Sequence, residues 1–186
     1  MIYLDYQATT PLAPEAREAM LRWLAGPGEG EGFANPSSTH KGGRAAAAAV
    51  EVARDQVAAL LPKGGRVFFT SGATEALNWA LFRGAQAKPG GVAGLSIEHA
   101  ASLQCLERLN AAILPVDSKG VALPPDAALI PENGLVATML VNNEVGTIQP
   151  VADFAAAAHA RNSLLLCDAV QGYGRVAIPD AADLIA

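Results

Sequence analysis

From Arg66 onward the chain repeats one rhythm: a short apolar run, then a stretch with helical spacing. The apolar runs Arg66–Thr70, Val92–Ile97, Ile113–Val116, Leu135–Val141 and Ser163–Cys167 read as strands. Ala73–Arg83, Ala100–Asn110 and Val151–Arg161 read as helices, and Asp126–Ile130 as a short one. Strands alternating with helices imply βαβ units and a mostly parallel sheet. Right-handed crossovers then put helices on both faces. The predicted fold class is therefore α/β, a three-layer α/β/α domain.

Before this region lie two helical stretches. Pro14 opens the first, with Ala16, Met20, Trp23 and Leu24 on one face. Gly26 to Gly32 is a loop rich in Gly and Glu, and Asn35-Pro36-Ser37-Ser38 a polar turn. The second helix runs from Gly43 to Leu61, with Ala46, Val50, Ala53, Val57 and Leu60 as its apolar stripe. Its consecutive alanines, Ala45 to Ala49, favour helix by propensity. Pro62 and Gly64-Gly65 end it. Residues 1–32 are thus expected to form an N-terminal segment with a short helix, and 33–186 the sheet domain. Asp183-Leu184-Ile185-Ala186 looks like the start of another buried strand, so the chain is expected to continue beyond it.

Composition removes several classes of function. A net charge of -5 and no Lys/Arg run argue against a nucleic-acid surface. Apolar stretches are interrupted well short of a membrane span. The first residues lack the basic-then-apolar plan of a signal peptide. Two cysteines, Cys105 and Cys167, make no disulfide framework and suit a reducing, cytoplasmic setting; both read as inert buried thiols.

In a parallel sheet, ligands bind beyond the carboxyl ends of the strands. Four segments occupy such positions. In Thr70-Ser71-Gly72-Ala73-Thr74-Glu75, Gly72 permits a sharp turn, and the helix N–H groups beside the Thr74 hydroxyl offer an anion site. The alternative is a plain cap by Ser71 or Thr74. No Gly-Lys-Ser/Thr follows, so this is not a Walker loop. His99, in Glu98-His99, is placed to stack on a flat ligand or move a proton, or else to cap a helix. Asn142-Asn143-Glu144-Val145-Gly146 offers carboxamides to a polar ligand, or simply turns. Asp168 follows four apolar residues, so burial is expected, and a buried carboxylate needs a partner. A protonated pyridine nitrogen would serve; a structural Arg or a metal is the alternative, though no second ligand lies at metal spacing. Taken in order, the four outline one aromatic, phosphorylated cofactor.

The same residues carry a family resemblance. Tyr3 to Pro11, Asn35 to His40, Thr70 to Asn78, Glu98 to Ala101, Val141 to Pro150 and Asp168 to Gln171 resemble, in order, the signatures of cysteine desulfurases. These belong to the class V aminotransferase group of fold-type I pyridoxal 5'-phosphate (PLP) enzymes. The pattern is closer to the NifS/IscS branch. The resemblance implies the aspartate aminotransferase-like large domain, incomplete at its C-terminus. It implies conversion of L-cysteine to L-alanine and an enzyme-bound persulfide, for transfer to a sulfur acceptor or iron–sulfur scaffold protein. It implies a cytoplasmic homodimer. By the same resemblance Ala73 and Thr74 bind the cofactor phosphate, and His99 stacks on the ring and serves as the catalytic acid–base. Asn143 lies by the ring hydroxyl and the substrate, Asp168 binds the ring nitrogen, Gln171 binds the ring hydroxyl, and Asn35 lines the substrate mouth.

The family's PLP-bonding lysine sits in a Ser-x-His-Lys segment absent from these residues, and Lys41, Lys63, Lys88 and Lys119 do not match it. Neither cysteine matches the family's catalytic cysteine. These 186 residues alone are therefore expected to be inactive. In the family an antiparallel strand from beyond the lysine flanks the 66–70 strand; without it, open edges should make the chain sticky, rearranged or oligomeric. The alternatives are a non-catalytic PLP-fold module for binding or dimerisation, a selenocysteine lyase, or another aminotransferase of the group.

Overall fold

The structure, a computed structural model, describes residues 2–24, 26, 33–62 and 65–186. The expected loop at Gly26 to Gly32 and Gly64 of the helix stop lie largely outside them. The chain divides into two compact units, Met1–Phe68 and Phe69–Ala186.

The first unit holds α1 (Pro14–Leu21) and α2 (Lys41–Ala58). Pro14 stands in the first turn of α1, where its missing N–H costs nothing. His40 caps α2: its Nδ1 accepts the Gly43 N–H at 3.2 Å. A Cβ on Gly43 would lie 2.2 Å from the Ser38 carbonyl oxygen, so only glycine lets the entering turn close on the helix. The expected apolar stripe of α2 is not a buried one. Ala46 is buried, but Val50, Ala53 and Leu60 are exposed. A run of alanines makes a helix by propensity without demanding a covering surface.

The second unit holds the sheet. In chain order it comprises α3 (Ala73–Ala87), β1 (Val92–Leu95), α4 (Ala100–Arg108), β2 (Ala112–Leu114), β3 (Leu135–Met139), α5 (Val151–Ala160), β4 (Leu164–Asp168) and β5 (Leu184–Ile185). The strands are ordered β2-β1-β3-β4-β5, and every pairing is parallel. The expected three-layer α/β/α architecture is present. Side chains alternate along each strand between two cores. Ala93, Leu95, Val136, Leu165 and Cys167 pack on one face with Phe154 and Ala158 of α5. Val92, Leu135, Ala137 and Leu166 pack on the other with Leu77 and Leu81 of α3 and Leu106 of α4. Burial on both faces is why these strands read as unbroken apolar runs.

Three expectations need correction. Arg66–Thr70 is not a strand: it joins no ladder, and Phe68 and Phe69 are exposed. The Val67 carbonyl is met not by a strand but by the Arg54 side chain, whose Nη1 donates to it at 2.6 Å. Asp126–Ile130 is a single turn, closed by Asp126 accepting from the Ala128, Leu129 and Ile130 N–H groups. Pro124-Pro125 before it and Pro131 after it leave no room for a helix. Finally, α3 extends to Ala87, past Arg83, until Lys88, held extended before Pro89, ends it.

Candidate functional site

All five strands point one way, so their carboxyl ends share one rim. The second unit's helices bring their N-termini back to it. Gly84 of α3 packs against Leu135, the first residue of β3; a Cβ there would lie 2.9 Å from Leu135 Cδ2. Lys88 Nζ donates to the Asn162 carbonyl at 2.8 Å, just ahead of β4. The C-terminus of α3 therefore sits at the amino rim, and its N-terminus at the carboxyl rim. The Cys105 thiol of α4 meets Asn78 Oδ1 of α3 at 3.0 Å, each residue five positions into its helix. The two helices thus start level with one another. Asp168 shares the parity of Leu164 and Leu166, so its carboxylate faces the layer that holds them.

At the start of α3, Gly72 is the N-cap and no side chain caps the helix. Glu75 instead reaches back, its Oε2 accepting the Ser71 N–H at 2.6 Å, and these bonds hold its carboxyl below the usual range. A side chain on Gly72 would meet nothing within 4 Å, so the helix N-terminus is open to approach. Ala73 is half-buried and Thr74 exposed beside it. The N-terminus also carries the positive end of the helix dipole.

His99 caps α4, its Nδ1 accepting the Ala101 N–H at 3.1 Å. With Nδ1 an acceptor, the neutral ring carries its proton on Nε2. Capping and ligand contact are therefore compatible roles for one exposed imidazole.

Asp168 is the last residue of β4 and 5% exposed. Its Oδ1 accepts the Val170 N–H at 3.0 Å. Burial raises its carboxyl pKa above the usual range, with the Val170 N–H and the nearby His99 working against the shift. Among the described residues no Lys or Arg pairs with it. A buried carboxylate with one main-chain donor fits a cationic N–H ligand.

Between β1 and β3 the strand order reverses, which in doubly wound sheets marks the ligand crevice. Two side chains bridge it. Asn142, buried, donates from Nδ2 to the Ile97 carbonyl at 3.0 Å, while its Oδ1 accepts from Glu144 and Val145 N–H groups, both at 2.9 Å. Glu98, also buried, accepts the Met139 N–H on Oε1 at 2.6 Å. Burial, and next the charge of Asp168, push the Glu98 carboxyl pKa up to about 8. Asn142 thus supplies the turn expected of this segment, and Asn143 follows half-buried, its Nδ2 3.5 Å from Glu144 Oε1. Gln171 lies half-buried in the turn after β4. Asn35, in the first unit, closes a turn by accepting the Ser37 N–H at 2.8 Å. Glu98 was legible by the criterion that singled out Asp168, an acidic residue closing an apolar run, but the adjoining histidine drew the reading to itself.

Both thiols are buried, and burial raises both pKa values, Cys167 to about 12. They are held neutral, as expected of inert core cysteines. Among the described residues no cluster suits a metal ion, and no helix is long and apolar enough to cross a membrane.

A three-layer sheet with an anion-receptive helix start and a buried carboxylate on one rim is the large-domain architecture of PLP-dependent transferases. The chain belongs to the class-V aminotransferase family, whose model, described as Aminotransferase class-V, matches residues 2–182. It is 42% identical to a cysteine desulfurase of Cereibacter sphaeroides over 95% of this chain and 48% of the relative. It is 39% identical to the cysteine desulfurase IscS of Dictyoglomus turgidum over 95% of this chain and 46% of the relative. Among solved structures, a NifS-like protein superposes with a TM-score of 0.85 at 34% identity, covering 98% of this chain and 53% of that one. The chain spans about half the length of the curated relatives it matches. The resemblance read from the motifs is thereby established, and PLP is the cofactor of this family.

Proposed function

We propose that this chain is the cofactor-binding half of a PLP-dependent cysteine desulfurase that acts on L-cysteine. In this reading residues 33–186 belong to the PLP-binding large domain. The observation that carries the reading is Asp168: a buried carboxylate with no Lys or Arg partner among the described residues, facing the helix layer whose N-termini present Thr74 and His99. These residues fit the cofactor's donor and charge pattern. When bound, PLP supplies an electron-accepting ring.

The chain's own residues do the rest. Ala73 and Thr74 bind a phosphate through main-chain N–H and hydroxyl, aided by the helix dipole. Asp168 accepts a ring N–H and keeps that proton in place, a charge-assisted bond worth ~1.5–3 kcal/mol. His99 stacks on the ring and moves a proton through Nε2, the nitrogen its capping bond leaves available. Asn143 and Gln171 hydrogen-bond the ring hydroxyl, and Asn143 the amino-acid substrate. The full-length protein works as a cytoplasmic homodimer and passes sulfur to an acceptor or iron–sulfur scaffold protein. The names of the relatives favour this over a selenocysteine lyase, another aminotransferase or a non-catalytic module.

Calorimetric titration of the chain with pyridoxal 5'-phosphate tests the reading. Saturable binding is expected, weakened about tenfold by Thr74→Ala. Borohydride treatment followed by intact mass should show no stoichiometric adduct at a single lysine. Absence of saturable binding sinks the proposal.

A further inference from the structure

Glu98 takes no part in the roles above, yet it occupies the point where the strand order reverses. The ladder explains its place. The Leu135 N–H bonds the Gly91 carbonyl and Gly94 pairs with Ala137, so the Met139 N–H would next meet the Leu95 carbonyl. That carbonyl instead accepts the Glu98 N–H at 3.3 Å as the chain turns away from β3. The Glu98 carboxyl stands in for the departed strand and takes the Met139 N–H. Met139 is the register partner of Asp168. One side chain thus connects the end of β1 to the main chain that sets the height of Asp168.

The other half of that carboxyl is the informative part. Glu98 Oε2 is buried and has no hydrogen-bond partner. The titratable neighbours facing Glu98 are Asp168 and Cys167 on β4, and His99 stands beside Asp168. Among the described residues no Lys or Arg pairs with Glu98. An ionised carboxylate there would be a second buried anion with nothing to balance it. A carboxylic acid carries no such charge and keeps the Met139 bond.

We propose that Glu98 is a neutral carboxylic acid at physiological pH and a positioning residue: it fastens β1 to β3 at the reversal point and leaves Asp168 as the one buried anion there among the described residues. A single negative charge matches a single ring N–H cation. The proposal rests on the functional reading only for the benefit to cofactor binding; the protonation state and the fastening stand without it.

Carbon-13 carboxyl spectra of the ligand-free chain test the first part. Glu98 is expected to titrate above pH 7, and Asp168 to show a matching second inflection there. Glu98→Gln keeps an acceptor for Met139 and cannot ionise, so it should erase the Asp168 inflection. Urea unfolding supplies a second readout. The raised folded value means stability is highest below the unfolded carboxylate range and falls as pH rises toward 8. The unfolding constant should rise about tenfold or more over that window in the parent chain and much less in E98Q, where only the contribution of Asp168 remains. Glu98 titrating in the ordinary carboxylate range, or a parent slope retained in E98Q, overturns the neutral acid. Glu98→Ala should weaken pyridoxal 5'-phosphate binding about tenfold, with most of the loss recovered in E98Q. Equal binding in E98A and the parent overturns the positioning role. No binding to the parent chain would count against the functional reading and leave the spectroscopic result standing.

Discussion

Asp168 and Glu98 close the apolar runs on either side of β3 in the same way, yet the surroundings give them different charges. Asp168 has the Val170 N–H and His99 to favour ionisation, whereas Glu98 has one main-chain donor and the charge of Asp168 against it. Asp168 is consequently a residue kept at the expense of the fold. Its raised carboxyl value means the ionised form is harder to hold in the folded state than in the unfolded one. That cost is absent below the unfolded value, grows as pH rises toward the folded value, and is constant above it. Asp168→Asn should therefore raise the urea midpoint of the ligand-free chain at neutral pH. The same change should weaken pyridoxal 5'-phosphate binding by about 10- to 100-fold, the equivalent of ~1.5–3 kcal/mol. Paired unfolding and binding titrations check this; a variant that loses both stability and affinity would show the carboxylate to be structural. Asp168 was readable in the sequence because Leu164 to Cys167 announce a buried strand before it. The compatibility of the two roles weighed for His99 was not: its capping bond occupies Nδ1 alone, and a sequence does not show ring orientation.

Elements were legible where burial on both faces dictated composition, as in β1, β3 and β4. They were misread where the deciding partner was absent or the context local: residues 66–70 needed a neighbouring strand, and 126–130 lay between prolines. The seating of the helices was invisible, because it depends on glycines that look like ordinary interruptions. A Cβ on Gly94 of β1 would lie 2.4 Å from Leu106 Cδ1 of α4. Leu106 is fully buried and has little room to withdraw. Gly94→Ala should cost ~1–3 kcal/mol by overpacking. The cost should shrink in a Leu106→Ala background, since the two side chains contest one volume. Denaturant midpoints of the four members of that cycle decide it, and strict additivity would contradict this account of how α4 is seated.

At the largest scale, the sheet has two borders, β2 and β5, with no further strand among the described residues. Ile113 of β2 is 49% exposed, and Phe69 and Trp79 are exposed elsewhere on the same unit. Open strand borders with apolar side chains template association. Sedimentation at rising concentration should show self-association of these residues, reduced by Ile113→Lys; a monomer at all concentrations would refute the role of the β2 border. The overall architecture was readable in advance from strand–helix alternation, whereas the apolar stripe of α2 gave no such guidance, since alanine suits helices with or without a cover.

The common direction of the strands divides the second unit into two ends with separate duties. The turns through Asn110, Asn133 and Asn162, each in a left-handed conformation, all gather at the end remote from Asp168. That end is the natural handle of the molecule. A dye, a tether or an inserted peptide at those turns would report on or immobilise the domain while leaving the opposite end unobstructed.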